Sequence, residues 1–312
     1  MHGARLGPPH YEKEAKFLNR TLRWGKRGLE IEGDPKHSEI LIGEWGMSNC
    51  KTMDTPMSKD VADKLNSGEV LGDVEARKVR RSIARINYMS LDRIDLSVVS
   101  RMLCQRMSSP TRGAEIGLKR VIRYIRGHPR GWCTMKWDSG LNLKVMTDSD
   151  WAGDHEQRKS ISGGGLFVGD NLIAHWSKMQ SNVALSSGEA ELNASVKGIS
   201  ELIGVIELFR ELEVSVNGVM LETDASACKG MLLRRGVGRV KHLSTKQLWV
   251  QGAVESYEIK ILQIPRALNS ADLWTHVVSN ADLRKFVQQV GFETGPLPPA
   301  GKIPSGGGGV QE

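Results

Sequence analysis

Four acidic residues, each at the edge of a regular segment, limit what this chain can fold into: Asp148, Glu191, Asp224 and Asp272. The segments around Asp148 and Asp224 are typical of strand ends, and those around Glu191 and Asp272 are typical of helix starts. A fold that brings such positions together creates a cluster of carboxylates. Crowded carboxylates repel each other unless a divalent cation lies between them, so the pattern predicts a hard-metal site.

Two of these acids have an acidic neighbour that competes for the same role. Asp150 can share a strand face with Asp148 but adjoins turn-prone residues, so Asp148 is the predicted ligand. Glu189 ends a capping box at residues 186–189, in which it would bind the amide of the helix cap. Glu191 lies about 200° further round the helix and is the predicted ligand. Taken singly, Glu191 and Asp272 could equally be partners of a helix dipole, and Asp224 could equally be a helix N-cap.

The charge distribution is consistent with a polyanionic partner. The net charge is +7, and the basic excess lies in the first half of the chain. Arg120, Arg123 and Arg126 follow one another on a predicted amphipathic helix, and Arg239 and Lys241 lie in a basic loop. As a group these residues could follow a phosphate backbone, although for any single arginine a solvated helix face is the better explanation.

The cysteines and the apolar runs indicate the compartment. The cysteines form no CxxC pair and match no zinc spacing, so we expect free thiols in a reducing environment: Cys50, Cys104, Cys133 and Cys228. The N-terminus has no apolar signal-peptide core. No apolar run approaches the ~20 residues that cross a bilayer. The sequence therefore predicts a soluble intracellular protein, cytoplasmic or nuclear, without a membrane partner.

Periodicity divides the chain into four predicted regions: a mixed segment at 1–65, a helical segment at 66–131, an α/β domain at 132–290 and a disordered tail at 291–312. Within the third region the predicted strands are CTMKWD, LNLKVMTD, GGGLFVG and LIAHWS. A long helix follows, and strand and helix then alternate. The fold class is therefore α/β, with a mixed five-stranded sheet and flanking helices preceded by a mostly helical segment.

The order of the motifs resembles the ribonuclease H domain at the C-terminal end of copia-type retrotransposon polyproteins. The matching motifs are TDSDW at 147–151, ALSSGEAE at 184–191, TD at 223–224, IP at 264–265 and ADLWT at 271–275. The upstream half resembles the end of the reverse transcriptase and its connecting region. The matching elements there are CK at 50–51, TPM at 55–57 and KRVIRYIRG at 119–127.

The chain departs from the family pattern at several places. The Tyr-x-Asp-Asp turn of the polymerase is absent, so no polymerase activity is expected. Ser244 stands where the family usually has Asp, and His276 stands where it usually has Lys. The loop at 266–270 has no histidine, whereas some ribonucleases H use one there. All of the predicted metal ligands are present.

The resemblance implies an endonuclease that cleaves the RNA strand of RNA–DNA hybrids by two-metal-ion hydrolysis. Two Mg²⁺ ions, with Mn²⁺ able to substitute, are the implied cofactors. In that mechanism Asp148 bridges the metals, Glu191 and Asp224 complete one site, and Asp272 completes the other. The implied partners are the hybrid and its nucleic-acid backbone. Candidate phosphate contacts are Arg120, Arg123, Arg126, Arg239 and Lys241.

The sequence leaves two alternatives to a hybrid-cleaving endonuclease. A non-catalytic or decayed nucleic-acid-binding relic would keep the fold and the basic face but lose metal binding. Another nuclease or a transposase-like enzyme on the same fold would share the acids but cut duplex DNA. The sequence carries no indication of the oligomeric state.

Overall fold

The computed structural model describes residues 14–238 and 245–296. Its strands are β1 Glu14–Phe17, β2 Arg20–Trp24, β3 Gly28–Glu32, β4 Arg130–Lys136, β5 Asn142–Asp150, β6 Ile161–Val168, β7 Asn171–Met179, β8 Gly218–Thr223, β9 Lys260–Gln263 and β10 Phe292–Gly295. Its α-helices are α1 Lys36–Glu44, α2 Lys59–Ala62, α3 Asp73–Met89, α4 Ser97–Cys104, α5 Arg112–Gly127, α6 Ser187–Glu211, α7 Ser226–Leu233, α8 Thr245–Ser256 and α9 Asn280–Gln289. Short 3₁₀ helices span Ile94–Leu96, Arg266–Leu268 and Ser270–Trp274.

The described strands form two five-stranded sheets. An antiparallel sheet has the order β1-β2-β3-β4-β10, and a mixed sheet has the order β7-β6-β5-β8-β9. In the mixed sheet β5, β6 and β7 are antiparallel neighbours, whereas β8 runs parallel to β5 and β9 runs parallel to β8. Helices α6, α7 and α8 make the connections to the parallel strands, which a tight turn cannot join. This arrangement confirms the predicted ribonuclease H-like fold class.

The central strand β5 contributes to a core on each face of the mixed sheet. Leu143 and Val145 are 0% exposed and pack with the apolar side chains of α6, α7 and α8. Met146 points to the opposite face, where it packs against the second core. Successive strand residues point to opposite faces of a sheet, so a strand with two apolar faces belongs at the centre.

The helices that precede the mixed sheet share a core with it. Ile86 of α3, Leu103 of α4 and Ile122 of α5 are 0% exposed, and they belong to the same apolar cluster as Phe167 of β6 and Trp274. Helices α6 to α8 cover one face of the mixed sheet, and this upstream helical layer covers part of the other. Helix α5 is the predicted amphipathic helix, and its buried face includes Ile122.

A glycine stretch on β6 makes room for the 3₁₀ helix Ser270–Trp274. A Cβ at Gly163 would lie 2.6 Å from Thr275 Cγ2 and 2.8 Å from the carbonyl oxygen of Ala271. A Cβ at Gly165 would lie 2.6 Å from the Trp274 ring. Gly163 is also the residue paired with Asp148 in the sheet register. Because Gly163 and Gly165 have no side chains, this 3₁₀ helix can approach the middle of the sheet.

One strand was predicted in the wrong sheet. The segment CTMKWD was expected to belong to the α/β sheet, but β4 pairs with β3 and β10 in the antiparallel sheet. Arg130 at the start of β4 forms an ion pair with Glu32 of β3, a carboxylate that is 1% exposed and that also binds Arg23. Alternating polarity indicates a strand but does not identify its neighbour, and this buried ion pair could not be located from the sequence.

The predicted mixed segment at 1–65 contains three strands that the sequence did not indicate, whereas the segment at 66–131 is helical as predicted. Strands β1, β2 and β3 form a three-stranded antiparallel ribbon. The turn between β1 and β2 has positive φ at Leu18 (48°) and Asn19 (62°), the conformation of a tight hairpin. Leucine is rare in that conformation, so the sequence lacked the usual turn signal. Residues 292–295, expected in the disordered tail, form β10, while residues 297–312 lie outside the described residues.

The close approach at Gly163 can be tested by adding one methyl group. We expect Gly163→Ala to lower the free energy of unfolding by about 1–3 kcal/mol, because backbone atoms of the 3₁₀ helix must move. Urea denaturation followed by circular dichroism measures the change. Gly204→Ala in α6 is the control: its Cβ meets no atom within 4 Å, and it should raise stability by about 0.5–1 kcal/mol. Equal effects of the two substitutions would contradict the packing described.

Candidate metal centre

The structure brings the acidic residues selected from the sequence to one place. Asp148 lies near the end of the central strand β5, and Asp224 directly follows the neighbouring parallel strand β8. Glu191 lies in the second turn of α6, and Asp272 lies in the 3₁₀ helix Ser270–Trp274. Carboxyl ends of adjacent parallel strands meet at the same edge of a sheet, which explains how Asp148 and Asp224 become neighbours.

The side chains form two groups that share Asp148. In the first trio, one carboxylate oxygen each from Asp148, Glu191 and Asp224 lies within 4.8 Å of the others. In the second trio, oxygens of Asp148 and Asp272 and one nitrogen of His276 satisfy the same limit. His276 was noted in the sequence only as a departure from the family pattern. Its closeness in the sequence to Asp272, four residues earlier, was the available signal.

Glu191 and Glu189 make separate contacts, one with β5 and the other with the start of α6. The amide and hydroxyl groups of Ser149 donate to Glu191 Oε1 at 3.1 and 2.9 Å, which turns this carboxylate toward β5. Glu189 accepts a hydrogen bond from the Leu185 amide at 2.8 Å, and its own amide donates to Ser186 Oγ at 3.2 Å. The capping role of Glu189 is confirmed, with Leu185 rather than the cap residue Ser186 as the amide donor.

Hydrogen bonds fix the segment that carries Asp272. Buried Asn269 donates to the carbonyl oxygen of Thr147 on β5 at 3.0 Å and accepts from the Ala271 amide at 3.2 Å. Thr275 donates through Oγ1 to Asp148 Oδ2 at 2.8 Å. These contacts attach both ends of the 3₁₀ helix to the central strand, so the distance between Asp148 and Asp272 does not depend on a mobile loop.

Two buried carboxylate oxygens of the acidic cluster lack a hydrogen-bond partner within the described residues. Glu191 Oε2 and Asp272 Oδ1 find none among residues 14–238 and 245–296, although the two residues are 8% and 6% exposed. Burying an unpaired carboxylate oxygen costs free energy, so such atoms normally contact a donor or a cation. Arg266 is the nearby cation that the structure provides, with Nε 3.4 Å from Asp272 Oδ2. The oxygen-rich set of donors and the two carboxylate oxygens without a hydrogen-bond partner fit a divalent metal ion.

The raised pKa values of two of these carboxyl groups are also consistent with a site for a metal ion. Burial, followed by the charges of Glu191 and Asp272, raises the pKa of Asp148 well above its ordinary value. Burial raises the pKa of Glu191 to about 7, although hydrogen bonds from Ser149 oppose the rise. Without a cation, Glu191 is therefore only partly ionised near neutral pH. Metal binding would displace its remaining proton.

Comparison with known proteins identifies the family. No protein-family model matches the chain. An uncharacterized mitochondrial protein of Arabidopsis thaliana is 32% identical over 197 residues, which are 63% of this chain and 78% of that protein. The retrovirus-related Pol polyprotein from transposon RE2 of the same plant is 28% identical over 308 residues, which are 98% of this chain and 20% of the polyprotein. The chain belongs to the family of copia-type retrotransposon Pol polyproteins.

The chain spans about a fifth of the length of the Pol polyproteins it matches. Among solved structures, ribonuclease H1 from the halophilic archaeon Halobacterium salinarum matches 43% of this chain and 94% of its own, with 16% identity and a TM-score of 0.33. The strand order and directions of the mixed sheet define the ribonuclease H-like domain of this Pol-family chain. In the part of the chain that the structure describes, no helix has the length and apolar character needed to cross a membrane.

A cavity of about 740 Å³ opens over the first trio of the ribonuclease H-like domain. Its other wall comes from the upstream helices and includes Lys59 of α2, Arg101 of α4 and Arg106 just after α4. Burial lowers the pKa of Arg101 to about 10, although Asp150 opposes the decrease. Asp150 lines the cavity and belongs to neither trio. This basic wall was not predicted from the sequence, because it forms only where the upstream helices α2 and α4 pack near the mixed sheet.

Two of the three α5 arginines predicted to contact phosphates bind other parts of the protein instead. Arg120 donates to Thr55 Oγ1 at 3.1 Å, and Arg126 donates to the carbonyl oxygens of Ser48 and Cys50 at 2.6 and 2.7 Å. Both therefore attach the segment before α2 to α5. Arg123 is exposed, and none of these three arginines lines the cavity. The other predicted contacts, Arg239 and Lys241, lie outside the described residues, as does Ser244.

The raised carboxyl pKa values predict the pH dependence of stability without metal. The folded pKa of Glu191, about 7, lies above the unfolded value of about 4.3, so its stabilising contribution is complete below about pH 4.3 and is lost as the pH rises through 7. We expect the free energy of unfolding in EDTA to fall by about 2 kcal/mol between about pH 5.5 and pH 8 from this group alone.

Thermal and urea unfolding of the wild type and of Glu191→Gln across that range would measure this loss. The variant has no titrating group at position 191, so its stability should change less with pH. Excess Mg²⁺ should stabilise the wild type more at about pH 8 than at about pH 5.5, because protons compete with the metal. Identical pH profiles for the two proteins would show that Glu191 titrates normally.

Proposed function

We propose that this chain acts as a ribonuclease H-type endonuclease that cleaves the RNA strand of RNA–DNA hybrids with two divalent metal ions. The observation that carries the proposal is the pair of trios that share Asp148. Membership of the Pol polyprotein family and the ribonuclease H-like sheet support the substrate class. Mg²⁺ is the proposed ion, with Mn²⁺ able to substitute, because the first trio offers only carboxylate oxygens.

Each acid has a defined role in this proposal. Asp148 contributes to both cation positions, Glu191 and Asp224 complete one, and Asp272 belongs to the other. When bound, two divalent cations supply an activated water and stabilise the leaving oxygen. Ser149 and Thr275 orient Glu191 and Asp148 through the hydrogen bonds described, so the ligands are held in position before substrate binds. No protein nucleophile is required.

The cavity walls suggest how the nucleic acid is held. The acidic floor lies in the mixed sheet, and the facing wall carries Lys59, Arg101 and Arg106. Lysine and arginine on one wall can bind phosphates while the cations on the floor engage the scissile phosphate. Selection of a hybrid over duplex DNA requires contacts to 2′-hydroxyl groups of one strand. The upstream helices are thus part of the proposed substrate site.

The assay that tests the proposal uses three labelled substrates with Mg²⁺: an RNA–DNA hybrid, double-stranded DNA and single-stranded RNA. We expect cleavage of the RNA strand of the hybrid and at least about a 100-fold loss of rate in Asp148→Asn, which removes a ligand common to both trios. Asp150→Asn is the matched control, and it should retain most of the activity because Asp150 belongs to neither trio.

Other outcomes would identify the alternatives. Cleavage of duplex DNA would point to a different nuclease on the same fold. Binding of nucleic acid without cleavage of any substrate would point to a non-catalytic relic. Hybrid cleavage that survives Asp148→Asn would contradict the assignment of the metal ligands.

Arg266 offers a separate test of where the substrate lies. Its side chain is 72% exposed, lines the cavity and contacts Asp272. We expect Arg266→Gln to weaken hybrid binding and to reduce the slope of log K against log salt by about 1, because one phosphate contact is lost. Fluorescence anisotropy at several salt concentrations, with Ca²⁺ in place of Mg²⁺ to prevent cleavage, measures both quantities.

Arg284→Gln on α9 is the matched control for charge, because Arg284 is exposed but does not line the cavity. Its salt slope should equal that of the wild type. The same titration on Arg123→Gln tests the predicted phosphate contact on α5. Equal losses for Arg266→Gln and Arg284→Gln would mean that the hybrid binds through general charge rather than in the cavity.

A further inference from the structure

His276 gives the second trio a donor that the first trio lacks. The second trio combines one imidazole nitrogen with carboxylate oxygens of Asp148 and Asp272, all within 4.8 Å of one another. The first trio, in which Glu191 and Asp224 accompany Asp148, offers oxygen atoms alone. The two neighbouring cation positions therefore differ in donor chemistry, although they share one carboxylate.

The difference matters because divalent cations discriminate between these donors. Mg²⁺ binds carboxylates, waters and phosphate oxygens and dehydrates reluctantly. Imidazole nitrogen suits first-row transition metals, whose affinity for a given site generally rises from Mn²⁺ to Cu²⁺. A site of two carboxylates and one imidazole therefore favours a transition metal, whereas an all-carboxylate site does not require one.

Thr275 holds the members of the second trio in place. Its hydroxyl donates to Asp148 Oδ2 at 2.8 Å and lies 2.9 Å from Nδ1 of His276. The same hydroxyl lies 3.2 Å from the carbonyl oxygen of Asp272. Hydrogen bonds behind the ligands fix the imidazole orientation and increase the metal affinity of such sites. One side chain thus contacts all three residues of the second trio.

A buried oxygen points to a ligand at this position independently of His276. Asp272 is 6% exposed, and its Oδ1 has no hydrogen-bond partner within the two described ranges. Arg266 reaches only the other oxygen, at 3.4 Å, from a side chain that is mostly solvent-exposed. An incoming cation can therefore satisfy Oδ1 without displacing a protein donor from that atom.

We propose that Asp148, Asp272 and His276 bind a first-row transition-metal ion in preference to Mg²⁺, while Mg²⁺ occupies the first trio. This inference rests on the proposed function, because it assigns the ion at one of the two cation positions required there. The nuclease would then work with a mixed metal pair. Its activity would depend on the supply of a transition metal as well as on Mg²⁺.

Mn²⁺ is the probe for the test, because it is paramagnetic and binds both kinds of donor. The full chain is loaded with less than one equivalent of Mn²⁺ in excess Mg²⁺, and pulsed electron paramagnetic resonance detects the coupling of ¹⁴N to the bound ion. We expect a coupling of the size given by a directly bound imidazole. His276→Gln should remove it and should lower the Mn²⁺-over-Mg²⁺ preference at least about 10-fold.

His155→Gln is the matched control. His155 lines the same cavity but belongs to neither trio, so the nitrogen coupling should be unchanged in that variant. Thermal unfolding of each variant checks that it folds. The wild-type spectrum still tests the inference if His276→Gln does not fold. The inference requires that a nitrogen atom binds Mn²⁺ in the wild type.

Three results are distinguishable. A nitrogen coupling that is lost in His276→Gln and kept in His155→Gln supports the inference. Bound Mn²⁺ without nitrogen coupling, or a coupling that survives His276→Gln, overturns the inference and leaves the two-metal function intact. If calorimetry finds that neither Mn²⁺ nor Mg²⁺ binds the wild type, the inference and the metal requirement of the proposed function both fail.

Discussion

The arrangement of the metal centre depends on steric space at one strand. Because β6 has glycine at Gly163 and Gly165, the 3₁₀ helix Ser270–Trp274 packs directly on the sheet, next to the pair formed by Gly163 and Asp148. That contact places Asp272 beside Asp148 and buries both carboxylates. Burial then makes their unsatisfied charge costly in free energy, and a bound cation would relieve the repulsion. Backbone packing therefore sets the positions of the carboxylates, and their electrostatic repulsion follows from those positions.

The acidic cluster could be predicted from the sequence because its members occupy positions that a fold of this kind must bring together. Asp148 and Asp224 end adjacent parallel strands, and such ends meet at one edge of a sheet. The assignment of Glu189 to the helix cap and of Glu191 to the cluster followed from helix geometry alone. Local periodicity was likewise sufficient to identify strands β5, β6 and β7, although it assigned β4 to the wrong sheet.

Features that depend on distant packing could not be predicted in this way. Strand β4 pairs with β3, where Arg130 binds the buried carboxylate of Glu32, and the sequence does not distinguish Glu32 from a surface acid. The basic wall of the cavity, with Lys59 and Arg106, requires α2 and α4 to face the mixed sheet. The first hairpin lacks a turn signal because Leu18 occupies a position that usually favours glycine or asparagine.

The shared apolar core has a consequence for how this part of a Pol polyprotein can be inherited. Helices α3 to α5 bury Ile86, Leu103 and Ile122 in the same cluster as Trp274, which belongs to the segment carrying Asp272. A recombination breakpoint between α5 and β5 would divide that cluster and expose apolar surface on both products. It would also separate the upstream helices that form one wall of the cavity from the acidic residues that form the other. The upstream helices and the ribonuclease H-like sheet therefore share one core, so a substitution in either part that changes this core is felt by the other.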